Sequence, residues 1–149
     1  MQVHWPAGWS GEHLAGISSD PAVRDLGFRE KGRRTDAKAP PGFIEVTCRY
    51  TLWSAESDEQ HIEQLLDDVV KNYEKKGYSV MATPPKSARV GPYTALTASL
   101  EYQHDDADIM QTFTVAQNSK CLIDVMLTAR RSNYDANVAA YEAVKAAVR

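Results

Sequence analysis

A histidine and three aspartates are crowded into one short stretch of the chain, and all four side chains are potential metal ligands. The stretch is His104-Asp105-Asp106 with Asp108, and carboxylates together with an imidazole can hold a divalent cation. Neighbouring side chains of a strand point to opposite faces, however, and Asp is common in polar turns. The sequence therefore favours a hairpin turn over a metal site, and neither a metal nor another cofactor is expected.

The two cysteines could take part in nucleophilic or redox chemistry. Cys48 and Cys121 both lie in segments that read as strands, and Cys48 has the parity of the apolar residues around it. A reactive thiol needs exposure and a lowered pKa, whereas buried thiols in strands are usually inert. Free core thiols are the favoured interpretation and catalysis the least favoured. A disulfide between the two cysteines is ranked second, and it becomes more favoured if the compartment is oxidising.

The remaining residues with catalytic potential form no recognisable motif. His4, His13 and His61 have no nucleophile at motif spacing, and His61 is expected at the surface beside a helix start. Searches for a phosphate loop, a nucleophile elbow, a zinc-protease helix or paired Cys-x-x-Cys ligands all fail. Active sites assembled from distant residues leave no local motif. The chain is therefore predicted not to be an enzyme, and a motif-free enzyme is the third-ranked alternative.

Basic residues are concentrated in residues 24–38, although the whole chain has a formal net charge of -3. This net charge argues against general nucleic-acid binding. Within the segment, Arg29, Arg33 and Arg34 could form a basic rim that binds an acidic protein surface or anionic headgroups with salt-sensitive affinity. The favoured alternative is that they only solubilise a hairpin or pair with an acidic helix of the same molecule.

Two tryptophans near the start of the chain are the other candidates for partner binding. The motif Trp5-Pro6-Ala7-Gly8-Trp9 combines two large side chains with a Pro and a Gly that favour a turn. A short strand entering a tight bend is predicted here. A cleft between the Trp5/Trp9 segment and a sheet could bind a small ligand.

Length and composition are those of an ordinary globular chain. At 149 residues, with 43% hydrophobic and 25% charged residues, the chain fits one domain with its own core. No apolar run approaches the roughly 20 residues that span a bilayer, and no signal-peptide core is present in the sequence. A mature exported protein would look the same. A periplasmic or exported location is expected, with the cytoplasm left open.

The periodicity of apolar residues predicts the elements that must position these side chains. Alternation in residues 44–52 predicts a half-buried strand. Ser57 and Gln60 form a capping box for a helix whose apolar residues recur at steps of three and four, and Gly77 supplies its left-handed stop. Strands are also predicted at residues 23–31, 78–82, 96–102, 109–116 and 121–127. Asn133 or Asp135 is expected to cap a final helix.

This order predicts an α+β fold, a twisted antiparallel sheet of about six to seven strands packed with two helices in the order βββ-α-ββββ-α. Residues 1–149 are expected to form a single domain. The apolar stripe of the first helix is expected to dock on the sheet face that bears Ile44, Val46 and Tyr50. That stripe contains Ile62, Leu65, Leu66, Val69 and Tyr73.

The chain resembles the PsbP/DcrB-like superfamily in the order of its elements and in several weak motifs. The resemblance rests on Trp5-Pro6-Ala7-Gly8-Trp9, the strand of residues 43–52, the helix ending at Gly77, the Gly91-Pro92 turn, and the strand and helix that begin at Cys121. It covers nearly the whole chain. Within this superfamily the sequence most resembles small, exported, uncharacterised gram-negative proteins that have a similar Pro-x-Gly-Trp motif near the N-terminus.

The resemblance implies binding rather than catalysis. Members of the superfamily serve as photosystem accessory subunits, GTPase-binding factors, secretion-effector chaperones and small envelope lipoproteins, and no shared catalytic residue carries over. The leading hypothesis is a non-enzymatic accessory or chaperone-like module of the bacterial envelope or secretion apparatus that binds another protein. The runner-up is a small-ligand binding protein. The identity of the partner and the oligomeric state are not predicted.

Overall fold

The computed structural model describes residues 2–14, 27–50, 58–118 and 121–149, without the side chains of residues 50, 58–62 and 65. The predicted capping box of Ser57 and Gln60 and the side chains of His61, Ile62 and Leu65 therefore lie outside the described residues. The strands are β1 (Trp9–His13), β2 (Gly27–Arg34), β3 (Phe43–Tyr50), β4 (Met81–Ala82), β5 (Lys86–Val90), β6 (Tyr93–His104), β7 (Ala107–Gln117) and β8 (Cys121–Arg130). The helices are α1 (Asp58–Lys75) and α2 (Arg131–Ala147).

The described strands form one antiparallel sheet of eight strands, in the order β1-β2-β3-β8-β7-β6-β4, with β5 also paired to β6. The sheet is twisted and does not close on itself. The predicted α+β class, with an antiparallel sheet and two helices, is confirmed. The additional strand, which the sequence did not predict, is β5. It is a five-residue edge strand with two exposed charged residues, so its apolar alternation is too short to recognise.

Two glycine turns agree with their predicted roles, and one cap prediction was wrong. Gly77 and Gly91 have φ of 92° and 53°, the left-handed region that glycine adopts without strain. Helix α2 begins at Arg131, directly after β8, and its N-cap has no side-chain hydrogen bond. Asn133 and Asp135 therefore lie inside the first turns of α2 and cap nothing. No loop separates β8 from α2, so the usual N-terminal signal is missing.

One face of the sheet, the α2 face, carries the larger core. Alternate residues of the central strands meet the apolar stripe of α2. The fully buried members of this core include Ile44, Val46, Ile123, Val125, Leu127, Tyr141, Val144 and Val148. The Tyr141 hydroxyl lies 2.6 Å from Thr114 Oγ1 and donates a hydrogen bond to the carbonyl of Val125 at 2.8 Å. This polar group is thus satisfied inside the core.

The opposite face, the α1 face, carries the second core. Leu66 of α1 is 5% exposed and packs with Leu96 and Leu100 of β6 and Phe113 of β7. The predicted docking of the first helix was therefore wrong, because Ile44 and Val46 face α2 instead. β8 has apolar residues on both faces, such as Leu122 on one and Ile123 on the other, and alternation alone does not say which helix covers which face.

A disulfide joins Cys48 of β3 to Cys121 of β8. The two strands are neighbours, and in their register Cys48 is opposite Ile123 while Cys121 is opposite Tyr50. The two cysteines are thus diagonal neighbours on the α2 face, with Cα atoms 5.4 Å apart, a separation that a disulfide can bridge. The preference for free core thiols was wrong, because the pairing of β3 with β8 cannot be read from the sequence.

Candidate functional site: a basic sheet face and its polar cleft

Strand β2 presents three of its four basic residues on the α1 face of the sheet. Because side chains alternate along a strand, Arg29, Lys31 and Arg33 share this face, and the register places Arg49 of β3 on it as well. We call these four residues the basic sheet face. Helix α1 packs over β6 and β7, toward the other end of the sheet. The described parts of α1 and α2 therefore leave the basic sheet face uncovered.

Internal contacts hold two of these cations in place. Arg29 Nε donates to Glu45 Oε1 at 2.6 Å, and this bond raises the pKa of Arg29. Lys31 Nζ lies 3.9 Å from the centroid of the Phe43 ring. Burial is the main cause of the lowered pKa of Lys31, and the charges of the neighbouring arginines add to it. Arg33 is exposed and makes no ion pair with the described residues.

A polar cleft of 660 Å³ opens where the basic sheet face meets α1. Its cationic lining is Arg29, Arg49 and Lys76, the last of which directly follows α1. Its acidic lining is Glu45 and Asp124. Because Glu45 already pairs with Arg29, the cleft has an excess of positive charge.

Asp124 has the most unusual environment in the cleft. It lies on β8, opposite Thr47 of β3 and Val115 of β7. Its Oδ1 atom is shielded from solvent and has no hydrogen-bond partner in the described part of the chain. Burial raises the pKa of Asp124 to about 7; the charge of Glu45 adds to this effect and that of Arg49 opposes it. The carboxyl is therefore close to half-protonated at neutral pH.

The structure divides the predicted basic rim between the two faces. Arg29 and Arg33 share the basic sheet face, whereas Arg34 points to the α2 face. There its guanidinium lies 5.3 Å from the Trp9 ring centroid and donates to Asn137 Oδ1 at 2.9 Å and to the Ala136 carbonyl at 2.6 Å. Arg34 thus links β2 to α2 in the structure.

The two tryptophans also pack inside the molecule. Trp9 is 8% exposed and belongs to the α2-face core. The Trp5 ring lies directly over Gly11 and Gly32, where any added side chain would overlap with it, and its Nε1 donates to Glu30. The Trp5 ring therefore occupies the space above these two glycines, where the cleft for a small ligand was expected.

An apolar groove of 460 Å³ lies instead between α1 and the β4–β6 edge of the sheet. Its walls include Leu66, Val70, Leu100 and Phe113, and its rim includes Asp67. This groove is the better candidate for an apolar small ligand, because it combines apolar walls with a polar rim.

The cluster His104-Asp105-Asp106 forms the predicted hairpin turn between β6 and β7. His104 pairs with Ala107, and the two aspartates between them have φ of 49° and 62°. His104 Nδ1 lies 2.7 Å from the Tyr78 hydroxyl, and its Nε2 lies 3.2 Å from Asp105. Within residues 2–14, 27–50, 58–118 and 121–149, no group of three or more candidate ligands could hold a metal ion.

Sequence reasoning missed several residues of the cleft. Arg49, Lys76 and Asp124 join the site only because β3 pairs with β8 and α1 ends above them. The sequence did, however, contain a pattern that could have identified Asp124. On the α1 face of β8 it lies between Leu122 and Met126, both packed in the second core. A lone carboxyl in such a position is a candidate functional group.

The fold and the comparisons agree on the class of protein. A twisted antiparallel sheet with one helix on each face is the PsbP/DcrB-like fold. Residues 1–149 match the family described as a domain of unknown function, DUF4946, and the chain belongs to that family. No curated protein sequence matches the chain. No helix in the described residues is both long and apolar enough to cross a bilayer.

Two solved structures share the fold at low sequence identity. The first is PA94, a protein of unknown function from Pseudomonas aeruginosa, with a TM-score of 0.59 and 11% identity over 94% of this chain and 82% of that chain. The second is the cyanobacterial PsbP (CyanoP) of Synechocystis sp. PCC 6803, with a TM-score of 0.54 and 14% identity over 94% of this chain and 80% of that chain. At these identities the likeness is one of fold.

Proposed function

We propose that the protein is a non-enzymatic accessory or chaperone-like module of the bacterial envelope or secretion apparatus, and that it binds an acidic protein surface through the basic sheet face. The observation that carries the proposal is the placement of Arg29, Lys31, Arg33 and Arg49 on one sheet face, beyond the part that α1 covers. Complementary charge of this kind steers association and favours acidic partners.

The ion pairs of the described residues favour this function over mere solubilisation or self-pairing. If the role of the basic residues were to pair with the acidic helix of the same molecule, ion pairs should join α1 to β2. Arg29 pairs with Glu45 of β3 instead, and Asp67 of α1 pairs with Lys71 of the same helix at 2.7 Å. No ion pair between the described side chains joins α1 to β2, so Arg33 stays available for a partner.

The disulfide supports the compartment that we propose. Disulfides form and persist in oxidising compartments such as the bacterial periplasm, and they are rare in the cytosol. A bond between Cys48 and Cys121 therefore fits a periplasmic or exported protein. The sequence pI of about 5.8 fits a protein partner better than a nucleic acid.

A matched pair of charge variants tests the basic sheet face. The test variant is Lys31→Gln with Arg33→Glu; the control, Lys75→Gln with Lys86→Glu, makes the same charge change at exposed residues of α1 and β5. Proteins captured from an envelope extract at low salt are quantified by mass spectrometry for the wild type and both variants. Loss of a stoichiometric partner in the test variant alone is the expected result.

The kinetics of the captured partner then give the decisive comparison. We expect the test variant to lower the association rate constant and to flatten its salt dependence, because exposed charges act through a screened field. If the test variant keeps the wild-type association rate constant and the wild-type salt dependence, the basic sheet face is not the docking surface.

The apolar groove supports a second candidate function, the binding of an apolar small ligand. Its walls, which include Leu66, Leu100 and Phe113, are mostly apolar. The neutral dye N-phenylnaphthylamine tests this groove by fluorescence. Ala98→Phe fills the groove and should abolish dye binding, whereas Thr94→Phe places the same ring on β6 outside the groove lining and should not. Equal dye binding by both variants counts against the ligand function.

A further inference from the structure

Asp124 is a half-buried acid, and the described residues leave one of its carboxyl oxygens without a partner. Its Oδ1 atom is shielded from solvent and accepts no hydrogen bond from the described residues. An unsatisfied buried carboxyl oxygen costs roughly 1–3 kcal/mol, and native proteins contain few such groups. The other α1-face residues of β8 beside it, Leu122 and Met126, pack in an apolar core. Asp124 nevertheless lines the polar cleft and is partly exposed, so a ligand in the cleft can reach its carboxyl group.

Cationic side chains from three parts of the chain line the cleft that this carboxyl also lines. Arg49 comes from β3 and Arg29 from β2, and Lys76 directly follows α1. Arg29 is already bonded to Glu45, whereas Arg49 and Lys76 are exposed and form no salt bridge with the described residues. The charge of Arg49 does act on Asp124 and opposes the rise of its pKa. Lys76 Nζ lies 5.6 Å from the Tyr73 ring centroid, at the wall of the cleft.

Few other charged or titratable groups face Asp124. Glu45 is the acidic neighbour on β3, and the α1 wall contributes Asn72 and the phenol of Tyr73. From β7 the cleft receives Phe113, and Val115 is the register partner of Asp124. Among the described residues of the cleft, Arg49 and Lys76 form no salt bridge. The Asp124 carboxyl can donate a hydrogen bond when it is neutral, and it repels an anion when it is charged.

We propose that the polar cleft binds a small oxyanion between Arg49 and Lys76, and that Asp124 donates a hydrogen bond to this oxyanion in its neutral form. Guanidinium and ammonium groups supply charge-assisted bonds to carboxylate, phosphate or sulfate oxygens. The neutral carboxyl supplies an O–H donor to a further oxygen. The site is independent of a protein partner, because neither Lys31 nor Arg33 lines the cleft.

Proton uptake is the signature of this arrangement. The pKa of Asp124 in the free protein is about 7, raised by burial. The oxyanion requires the protonated form, so its affinity should be constant below this pKa and fall about tenfold per pH unit above it. Between about pH 6 and about pH 8.5 the expected loss of affinity is roughly 30-fold.

Sulfate is the best probe, because its own charge does not change in this pH range. Calorimetric titration of the wild-type protein should give tighter sulfate binding at about pH 6 than at about pH 8.5, by the factor above. Asp124→Asn retains a donor that carries no charge at any pH, and should bind sulfate with the low-pH affinity throughout. Lys76→Gln, at an exposed residue, should weaken sulfate binding about tenfold or more at every pH and keep the pH dependence.

The same sulfate titrations of a control variant, and titrations with other anions, complete the test. Arg33→Gln removes a charge outside the cleft and should leave the pH dependence unchanged. Tighter binding of succinate than of inorganic phosphate assigns the ligand to carboxylates, the reverse assigns it to phosphates, and either result supports the site. The proposal is wrong if the wild type binds none of these ions at millimolar concentration, or if Asp124→Asn keeps the wild-type pH dependence. Neither result bears on capture of a partner by Lys31 and Arg33.

Discussion

Cys48 and Cys121 are separated by 73 residues in the chain, yet a disulfide joins them and their Cα atoms are 5.4 Å apart. The bond closes a loop that includes α1 and β4 to β7. Because β3 and β8 are neighbours at the centre of the sheet, the crosslink fixes the pairing with the longest separation along the chain among the pairings of the described strands.

Reduction of this disulfide should destabilise the protein substantially. Closing a loop of this length lowers the entropy of the unfolded chain, an effect of about 4 kcal/mol in the chain-entropy model. Urea unfolding with and without dithiothreitol measures the loss. The double variant Cys48→Ser/Cys121→Ser is the control, since its unfolding midpoint should not respond to dithiothreitol. An unchanged wild-type midpoint after complete reduction would show that the crosslink contributes no stability.

Local sequence patterns predicted most elements of the fold because they report local physics. The alternation around Ile44 and the three- and four-residue steps around Leu66 identified β3 and α1. Strand order is a non-local property, so one consequence of the β3–β8 pairing was ranked second and the other was missed. These are the disulfide and the burial of Asp124 beside Arg49.

The candidate site could be predicted only in part, for the same reason. Parity along one strand places Arg29 and Arg33 on one face and Arg34 on the other, which is local information. The contribution of Lys76 depends on where α1 ends relative to the sheet. That position is set by the packing of Leu66 and its neighbours, which no local pattern reports.

Truncation of Leu66 should test the packing of α1 on the second core. Leu66 is 5% exposed, so Leu66→Ala removes buried methyl groups and leaves a cavity. The expected cost is about 2–5 kcal/mol in the free energy of unfolding, measured by urea denaturation. Glu74→Ala, at an exposed residue of the same helix, is the control. A cost for Leu66→Ala below roughly 0.5 kcal/mol, the scale of a surface substitution, would contradict this helix face.

The hydroxyl of Tyr141 should contribute to stability through its hydrogen bonds, the shortest of which join it to Thr114 and Val125. Tyr141→Phe leaves Thr114 Oγ1 and the Val125 carbonyl without this hydrogen bond inside the core. The expected cost is about 1–3 kcal/mol in the free energy of unfolding. Tyr93→Phe is the matched control, because the Tyr93 hydroxyl has no hydrogen bond with the described residues. Equal stability of the two variants would mean that the buried hydroxyl is not needed.

The raised pKa of Asp124 should make stability depend on pH in a defined direction. The pKa rises from the model-compound value of 3.8 to about 7 in the folded protein, chiefly because of burial. An acid with a raised pKa holds its proton more tightly in the folded state. Its contribution to stability is therefore greatest below about pH 4 and is lost as the pH rises to about 7.

The variant Asp124→Asn isolates this contribution, because its amide stays neutral at every pH. It should be more stable than the wild type above about pH 7, by roughly 1–4 kcal/mol, and the difference should shrink toward pH 4. Urea unfolding at several pH values measures the difference. Asp108→Asn, at an exposed residue of β7, is the control and should show no such trend. If Asp124→Asn is less stable than the wild type above pH 7, the carboxylate has a stabilising partner and its pKa is not raised.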